Sequence, residues 1–262
     1  MAENVNIHSS ACVHPKAELG SKVCVGPYTV IGEHVKIGPQ TKIGSSCVID
    51  GHTQIGKRCE IFTGAVIGST PQDLKYRGEK TEIIIGDDNI IREYVTINLG
   101  TVEKGQTVLG NRNLLMAYSH VAHDCEIGNE IVIANVGTLA GHVKIEDKAV
   151  VGGLVAIHQF TRVGKLSIVG GCSKVVQDIP PYAMVDGHPA RVYSINNIGL
   201  KRADIDLKSI QHIKTAFKIL FNMKLSTTNA LEKIKDEIPP DPHVLCLIEF
   251  MESAKRGVCK GS

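Results

Sequence analysis

Four of the chain's 11 histidines, His120, His123, His142 and His158, fall between positions 120 and 158. Imidazole has the side-chain pKa nearest physiological pH. A neutral ring can therefore take a proton from a hydroxyl as that hydroxyl attacks, and return it to a leaving group. Grouped imidazoles can also bind a metal, or can simply be polar surface residues. Deciding among these needs the elements that carry them.

Those elements show in the spacing of the aliphatic residues. Ile, Leu or Val occupies every sixth position from Val13 to Ile67, again from Ile85 to Ile97, and again from Leu109 to Val175. An amphipathic helix would repeat its apolar stripe every three or four residues. A period of six suits short strands joined by tight turns, each strand sending one aliphatic side chain inward. Gly follows many of these residues and is expected to supply the unusual backbone angles of the corners. The pattern resembles the hexapeptide-repeat family of left-handed parallel β-helices, in which three hexads close one triangular coil. Trp is absent and aromatics are 4%, as a narrow aliphatic interior would require.

Counted in such coils from Leu109, the third hexads begin at Val121, Leu139 and Ile157. His123, His142 and His158 then fall on one side of the prism, on rungs about 5 Å apart. His120 falls at the corner leading into that side. The three readings stay open at this level. Zinc-binding members of this fold, the gamma-type carbonic anhydrases, use a His pair five residues apart with a third His upstream. Here His120 and His123 are three apart, which weakens the metal reading and favours acid–base chemistry.

The repeat is interrupted at 69–84 and at 100–108, both polar and expected to project as loops, where binding residues tend to sit. Gln72, Asp73, Lys75, Tyr76 and Arg77 cluster in the first. The period stops at Pro180–Pro181. This predicts a β-helix domain over 1–190 and a helical domain over 191–262 that caps it. One helix carries Ile210, Ile213, Phe217 and Leu220. A second is capped by Thr228 and carries Leu231, Ile234 and Ile238. A third opens at Asp241–Pro242 and ends near Gly257. Arg191, Asn196, Lys201 and Arg202 gather where the two parts join.

A net charge of +2 leaves no strong nucleic-acid or membrane footprint. No basic head with an apolar stretch opens the chain, and no segment approaches the ~18 apolar residues of a membrane span. Eight cysteines without a CxxC pair read as reduced thiols, mostly small buried hydrophobes, of a cytoplasmic protein.

The stretches LLMAYSHVAHDCEIG, TLAGHVKI, AIHQFTRVG and GGCSKVVQDIPPY, with PQDLKYRGE and NIGLKR, span nearly the whole chain. They resemble the UDP-N-acetylglucosamine O-acyltransferase family of lipid A biosynthesis. HVAHDC and QDLKYRGE are far more specific than the hexads. The resemblance implies transfer of a 3-hydroxyacyl chain from acyl carrier protein to the sugar's 3-hydroxyl, by a homotrimer without a resident cofactor or metal. It implies His123 as general base, Asp124 as its orienting carboxylate and the Gly141 N–H as oxyanion donor. His120, His142, His158 and Gln159 would line the site. Gln72, Asp73 and Lys75 would reach it from a neighbouring subunit's loop. Asn196 and Arg202 would lie near the nucleotide and phosphopantetheine. Gly171 matches the acyl-length position, where the lack of a side chain implies a long chain such as 3-hydroxymyristoyl.

The chain departs from the family pattern at Asn98, Ile198 and Ala203. These departures leave open a sugar bearing an amine at the 3-position. The related N-acyltransferase carries an additional N-terminal uridine-binding domain, whereas here the hexads begin by Val13. The QDLKYRGE loop and helical tail fit the acyl-carrier-dependent family better than an acetyl-CoA-dependent hexapeptide transferase. A non-enzymatic scaffold gives no reason for the histidines.

Overall fold

In the computed structural model, which describes residues 4–261, the six-residue period closes into a left-handed parallel β-helix. Short strands stack into sheets of eleven, nine and eight strands, the three faces of a triangular prism. The first face starts at Asn6–Ile7, the second at Cys12–Val13 and the third at Glu18–Leu19. On the second face His120 pairs with Thr138, and Thr138 with Ala156, so neighbouring rungs are 18 residues apart.

The aliphatic positions point into the prism. All are buried except Val13 and Leu19, which are half-buried in the first coil, with no earlier coil to cover them. Burying each such side chain is worth about 1.5–3 kcal/mol. Strands of two residues cannot stand alone, so this repeated burial is what holds the coils together. Two residues before most aliphatic positions lies a small or polar buried side chain, with Ile83 and Ile131 as larger exceptions. Thr29 is one: its Oγ1 donates to the Gly44 carbonyl at 2.7 Å and accepts the Cys47 N–H at 3.1 Å. Cys47, Cys59 and Cys125 occupy such sites, but Cys12, Cys24 and Cys172 are exposed. The thiols are therefore not mostly core residues.

The corners differ from the expectation for glycine. Left-handed backbone falls on non-glycine residues such as Tyr28 (φ 59°), Asp124 (φ 60°) and His142 (φ 61°). The glycines after the aliphatic residues serve close coil packing instead. A Cβ on Gly26 would lie 2.7 Å from the Gly44 backbone in the next coil.

The projecting loops are shorter than the breaks in the repeat. Strands Val66–Ser69 and Glu82–Ile85 bound the first, leaving 70–81. Thr96–Asn98 and Gln106–Leu109 bound the second, leaving 99–105. Both leave the corner between the second and third faces.

After Lys174–Val175, strand Ala183–Gly187 extends the first face in parallel, and Ala190–Ile195 adds to it antiparallel. The expected boundary at 190/191 thus falls inside a strand. Four helices follow: α1 (Asn197–Arg202), α2 (Leu207–Asn222), α3 (Thr227–Glu237) and α4 (Pro242–Glu252). Their buried faces carry Ile210, Ile213 and Phe217 on α2, Ile234 on α3, and Leu247 on α4. Ser226, not Thr228, caps α3, and α4 opens at Asp241–Pro242 but stops at Glu252, short of Gly257.

Candidate active site

The site lies at the corner that joins the second face to the third. Each coil turns there through two residues after its second-face strand. The register places His123, Gly141 and Gln159 at the first turn position of successive coils, and Asp124, His142 and Phe160 at the second. His158 falls one position before its turn. The three histidines share a corner, then, but do not form a strip in register. His120 is not at a corner: it sits on the second-face strand His120–Val121, where its Nδ1 meets Thr96 Oγ1 at 2.6 Å.

His123 Nδ1 lies 2.8 Å from Asp124 Oδ2. A carboxylate there makes Nδ1 the donor and leaves the Nε2 lone pair free to accept a proton. Among the described residues Nε2 has no hydrogen-bond partner. Asp124 is fully buried, so its charge must be met by donors. Thr101, in the second loop, supplies two: its N–H donates to Oδ1 at 2.8 Å and its hydroxyl to Oδ2 at 2.7 Å. Thr107 Oγ1 accepts the Asp124 N–H at 2.9 Å. Neither threonine stood out in the sequence, because both fall inside or beside the break in the repeat.

His142 Nε2 lies 3.5 Å from Asp124 Oδ2 and 3.4 Å from Glu103 Oε2. Its ring stacks on Phe160 at 4.4 Å and meets the His123 ring edge-on at 5.2 Å. Phe160 follows His142 by one 18-residue coil, the signal that could have found it. Burial holds the His142 imidazolium below the usual range despite Asp124. Burial, then the neighbouring His123, does the same at His120.

Gly141 lies against the base. A Cβ at Gly141 would sit 2.4 Å from His123 Cε1 and 2.5 Å from Nε2. At the corner between the third and first faces several first-turn N–H groups are capped by side chains, such as Asp87 N–H by Asn111 Oδ1 at 2.8 Å. The Gly141 N–H has no acceptor among the described residues. A free ring nitrogen and a free amide donor therefore stand side by side.

The other expected residues are dispersed. His158 and Gln159 are exposed on the next coil. Gln72, Asp73 and Lys75 lie on the projecting first loop, whose tip carries Leu74, 95% exposed. Nothing described joins that loop to His123. Asn98 anchors its root, donating from Nδ2 to the Thr70 carbonyl at 3.1 Å, while its Oδ1 is buried without a partner. Asn196 is committed to the fold: its side chain caps α1 by accepting the Gly199 N–H at 3.0 Å, and donates to the Leu166 carbonyl at 2.9 Å. One N–H and one lone pair of the amide remain beyond these two bonds. Arg202 is exposed at the end of α1. Gly171 sits at the corner between the first and second faces, with only Gly153 within 4 Å of its missing Cβ.

Among the described residues, only His123, Asp124 and His142 bring ligand atoms within 4.8 Å of one another. Asp124 Oδ2 already takes hydrogen bonds from His123 and Thr101. A metal there would have to break the contact that orients His123. Among those residues no helix is long and apolar enough to cross a membrane.

A hexapeptide β-helix with a His–Asp pair beside an unbonded amide defines an acyltransferase of the hexapeptide-repeat class. The family described as UDP-N-acetylglucosamine O-acyltransferase, domain 2, matches residues 178–259. A protein named acyl-[acyl-carrier-protein]–UDP-N-acetylglucosamine O-acyltransferase from Thermodesulfovibrio yellowstonii is 49% identical over 255 residues, 97% of this chain and 99% of that protein. One of the same name from Gloeothece citriformis is 49% identical over 194 residues, 74% and 70% of the two chains. The solved structure of LpxA, a UDP-N-acetylglucosamine acyltransferase from Bacteroides fragilis, superposes with a TM-score of 0.95 at 40% identity, covering 97% of this chain and 99% of that one. The LpxA structure from Acinetobacter baumannii gives 0.94 at 41%, with the same coverage. This chain belongs to the UDP-N-acetylglucosamine O-acyltransferase family.

Proposed function

We propose that the chain moves a 3-hydroxyacyl group from acyl carrier protein to the 3-hydroxyl of UDP-N-acetylglucosamine, the first step of lipid A assembly. The observation that carries this is the pairing of a free His123 Nε2, oriented by Asp124, with the free Gly141 amide. The names of the relatives supply donor and acceptor. His123 takes the proton from the sugar hydroxyl as its oxygen attacks the thioester carbonyl. The tetrahedral oxyanion accepts the Gly141 N–H. Collapse expels the pantetheine thiolate, which receives the proton from the imidazolium. A thioester is already activated, so the step needs neither a metal nor a covalent enzyme intermediate; the chain contributes deprotonation, oxyanion stabilisation and orientation.

His142 supports Asp124 and, with His120, His158 and Gln159, frames the acceptor. Arg202 faces the nucleotide, whereas Asn196 acts as a helix cap. Gln72, Asp73 and Lys75 come from a neighbouring subunit of a homotrimer, which encloses a cleft that one corner alone lacks. Gly171 leaves room for a long acyl chain. The reaction belongs in the cytoplasm, where its carrier protein and sugar nucleotide are made.

A second reading, transfer to the 3-amino analogue of the sugar, draws support from Asn98, whose unpartnered buried Oδ1 could accept from a donor-rich substituent. The test is mass analysis of products from the purified protein, each sugar nucleotide and 3-hydroxyacyl carrier proteins of several lengths. An ester on UDP-N-acetylglucosamine is expected. Product with the amino sugar alone would overturn the hydroxyl acceptor, and no product at any length would overturn the enzyme.

A further inference from the structure

Two imidazoles and two carboxylates converge at the catalytic corner. His142 Nε2 lies 3.5 Å from Asp124 Oδ2 and 3.4 Å from Glu103 Oε2. His123 Nδ1 lies 2.8 Å from the same Asp124 oxygen. The His142 side chain is only 8% exposed, yet neither of its ring nitrogens makes a hydrogen bond among the described residues. A buried nitrogen thus faces two carboxylate oxygens across a gap too wide for a hydrogen bond and of a size for a small cation. With bonds of about 2.0–2.2 Å, the ligand atoms of a tetrahedral zinc ion stand about 3.3–3.6 Å apart. Both His142 spacings fall in that range. Only the His123–Asp124 spacing has to widen.

The donor set narrows the choice of ion. Imidazole nitrogen beside carboxylate oxygen suits zinc and its transition-metal neighbours, whereas magnesium and calcium take oxygen ligands. The gap is also reachable. Glu103 belongs to the second loop and its side chain is 57% exposed, so the cluster opens to solvent on that side. The cations nearest that opening, Lys104 and Lys144, are both drawn to Glu126, at 2.6 Å and 3.5 Å.

We infer that the corner is an inhibitory zinc site, with His123 Nδ1, Asp124 Oδ2, His142 Nε2 and Glu103 Oε2 as ligands. The inhibition rests on the proposed role of His123 as base; the binding does not. Zinc takes the place of the proton between His123 Nδ1 and Asp124 Oδ2. The neutral ring then carries that proton on Nε2, so none is gained or lost, and Nε2 has no lone pair left for the proton of an attacking hydroxyl. The Thr101 amide and hydroxyl keep their bonds to Asp124, because zinc replaces only the contact from His123. The ion opposes the reaction and takes no part in it.

The first test needs no turnover. The whole protein, freed of metal, is titrated calorimetrically with zinc chloride and separately with magnesium chloride. Zinc should bind and magnesium should not. Cys12, Cys24 and Cys172 are exposed and can also hold zinc, so variants decide the site. His142→Asn and Glu103→Gln should each weaken the tightest zinc binding at least about tenfold. Unchanged zinc affinity in either variant would overturn this ligand set. In turnover assays zinc should inhibit and excess EDTA should restore the rate. Glu103→Gln, measured against its own zinc-free rate, should need about tenfold more zinc for half-inhibition. Zinc bound at the corner without loss of rate would overturn the inhibitory role. No turnover in the zinc-free protein would count against the acyl-transfer reading and leave the calorimetric result standing.

Discussion

Asp124 follows His123 directly on one corner turn, and its Oδ2 lies 2.8 Å from His123 Nδ1 while its other oxygen is bound by the Thr101 amide. The corner's geometry creates this relationship. The first turn residue points its side chain outward, and the second, in left-handed backbone, brings its carboxylate back beside it. Left-handed residues recur at almost every corner, so the conformation of Asp124 belongs to the fold. Its place beside His123 is what serves the chemistry.

Thr101 tests the support of that carboxylate. Thr101→Val keeps the backbone donor but removes the hydroxyl bonded at 2.7 Å. Loss of a hydrogen bond to a charged group costs about 1.5–3 kcal/mol. Steady-state kinetics should show kcat reduced about 10–100-fold with little change in KM. A raised KM with unchanged kcat would place Thr101 in substrate binding.

Gly141 tests the approach of base and amide. In Gly141→Ala the new methyl would meet the His123 ring at 2.4 Å, so the ring must swing away from Nε2's present position. The expected outcome is a fall in kcat of about 10²-fold or more with the melting temperature little changed, measured by turnover and thermal melting together.

His142 couples stability to acidity. Its folded pKa is lowered, burial being the largest cause, so between the folded and unfolded values the unfolded chain binds more protons. Its contribution is fully present above the unfolded value near 6.5 and is lost as pH falls through the lower folded value. His120 shifts the same way, also through burial. Melting temperatures measured between about pH 5 and pH 8 should fall on the acidic side. His142→Asn should flatten that slope.

Gly171 tests acyl length. A Cβ there would meet the Gly153 carbonyl oxygen at 3.3 Å and nothing else closer than 4.0 Å, a tight contact with one backbone atom that must give by a few tenths of an ångström. Gly171→Met should fold with a modestly lowered melting temperature and shift kcat/KM toward shorter acyl donors. Each excluded methylene is worth about 1–3 kcal/mol of discrimination. An unchanged chain-length profile would remove Gly171 from that role.

The prism was legible from the aliphatic positions because a strict period leaves one way to bury them, and Val25 through Val175 are buried as that period requires. The corner was legible to within a residue or two. Counting in coils brought His123 and His142 to neighbouring rungs, but not to their different turn positions, which depend on where each strand ends. The role given to glycine at the corners failed because coil-to-coil contact, invisible in a local pattern, sets its use at Gly26. Thr101 and Thr107 were hidden because their partners come from a coil that the second loop interrupts. Asn196 has a second role that the sequence pattern hid: its side chain caps α1 by accepting the Gly199 N–H.

The central claim is that His123 Nε2 removes the acceptor's proton. The most direct measurement is kcat of His123→Ala with the natural acyl donor at saturating sugar nucleotide. The account predicts a loss of about 10²–10⁴-fold, with melting temperature and assembly size retained, because the side chain is only 15% exposed yet its single hydrogen bond is to Asp124 on the same turn. Turnover within a few-fold of the unsubstituted protein would contradict it.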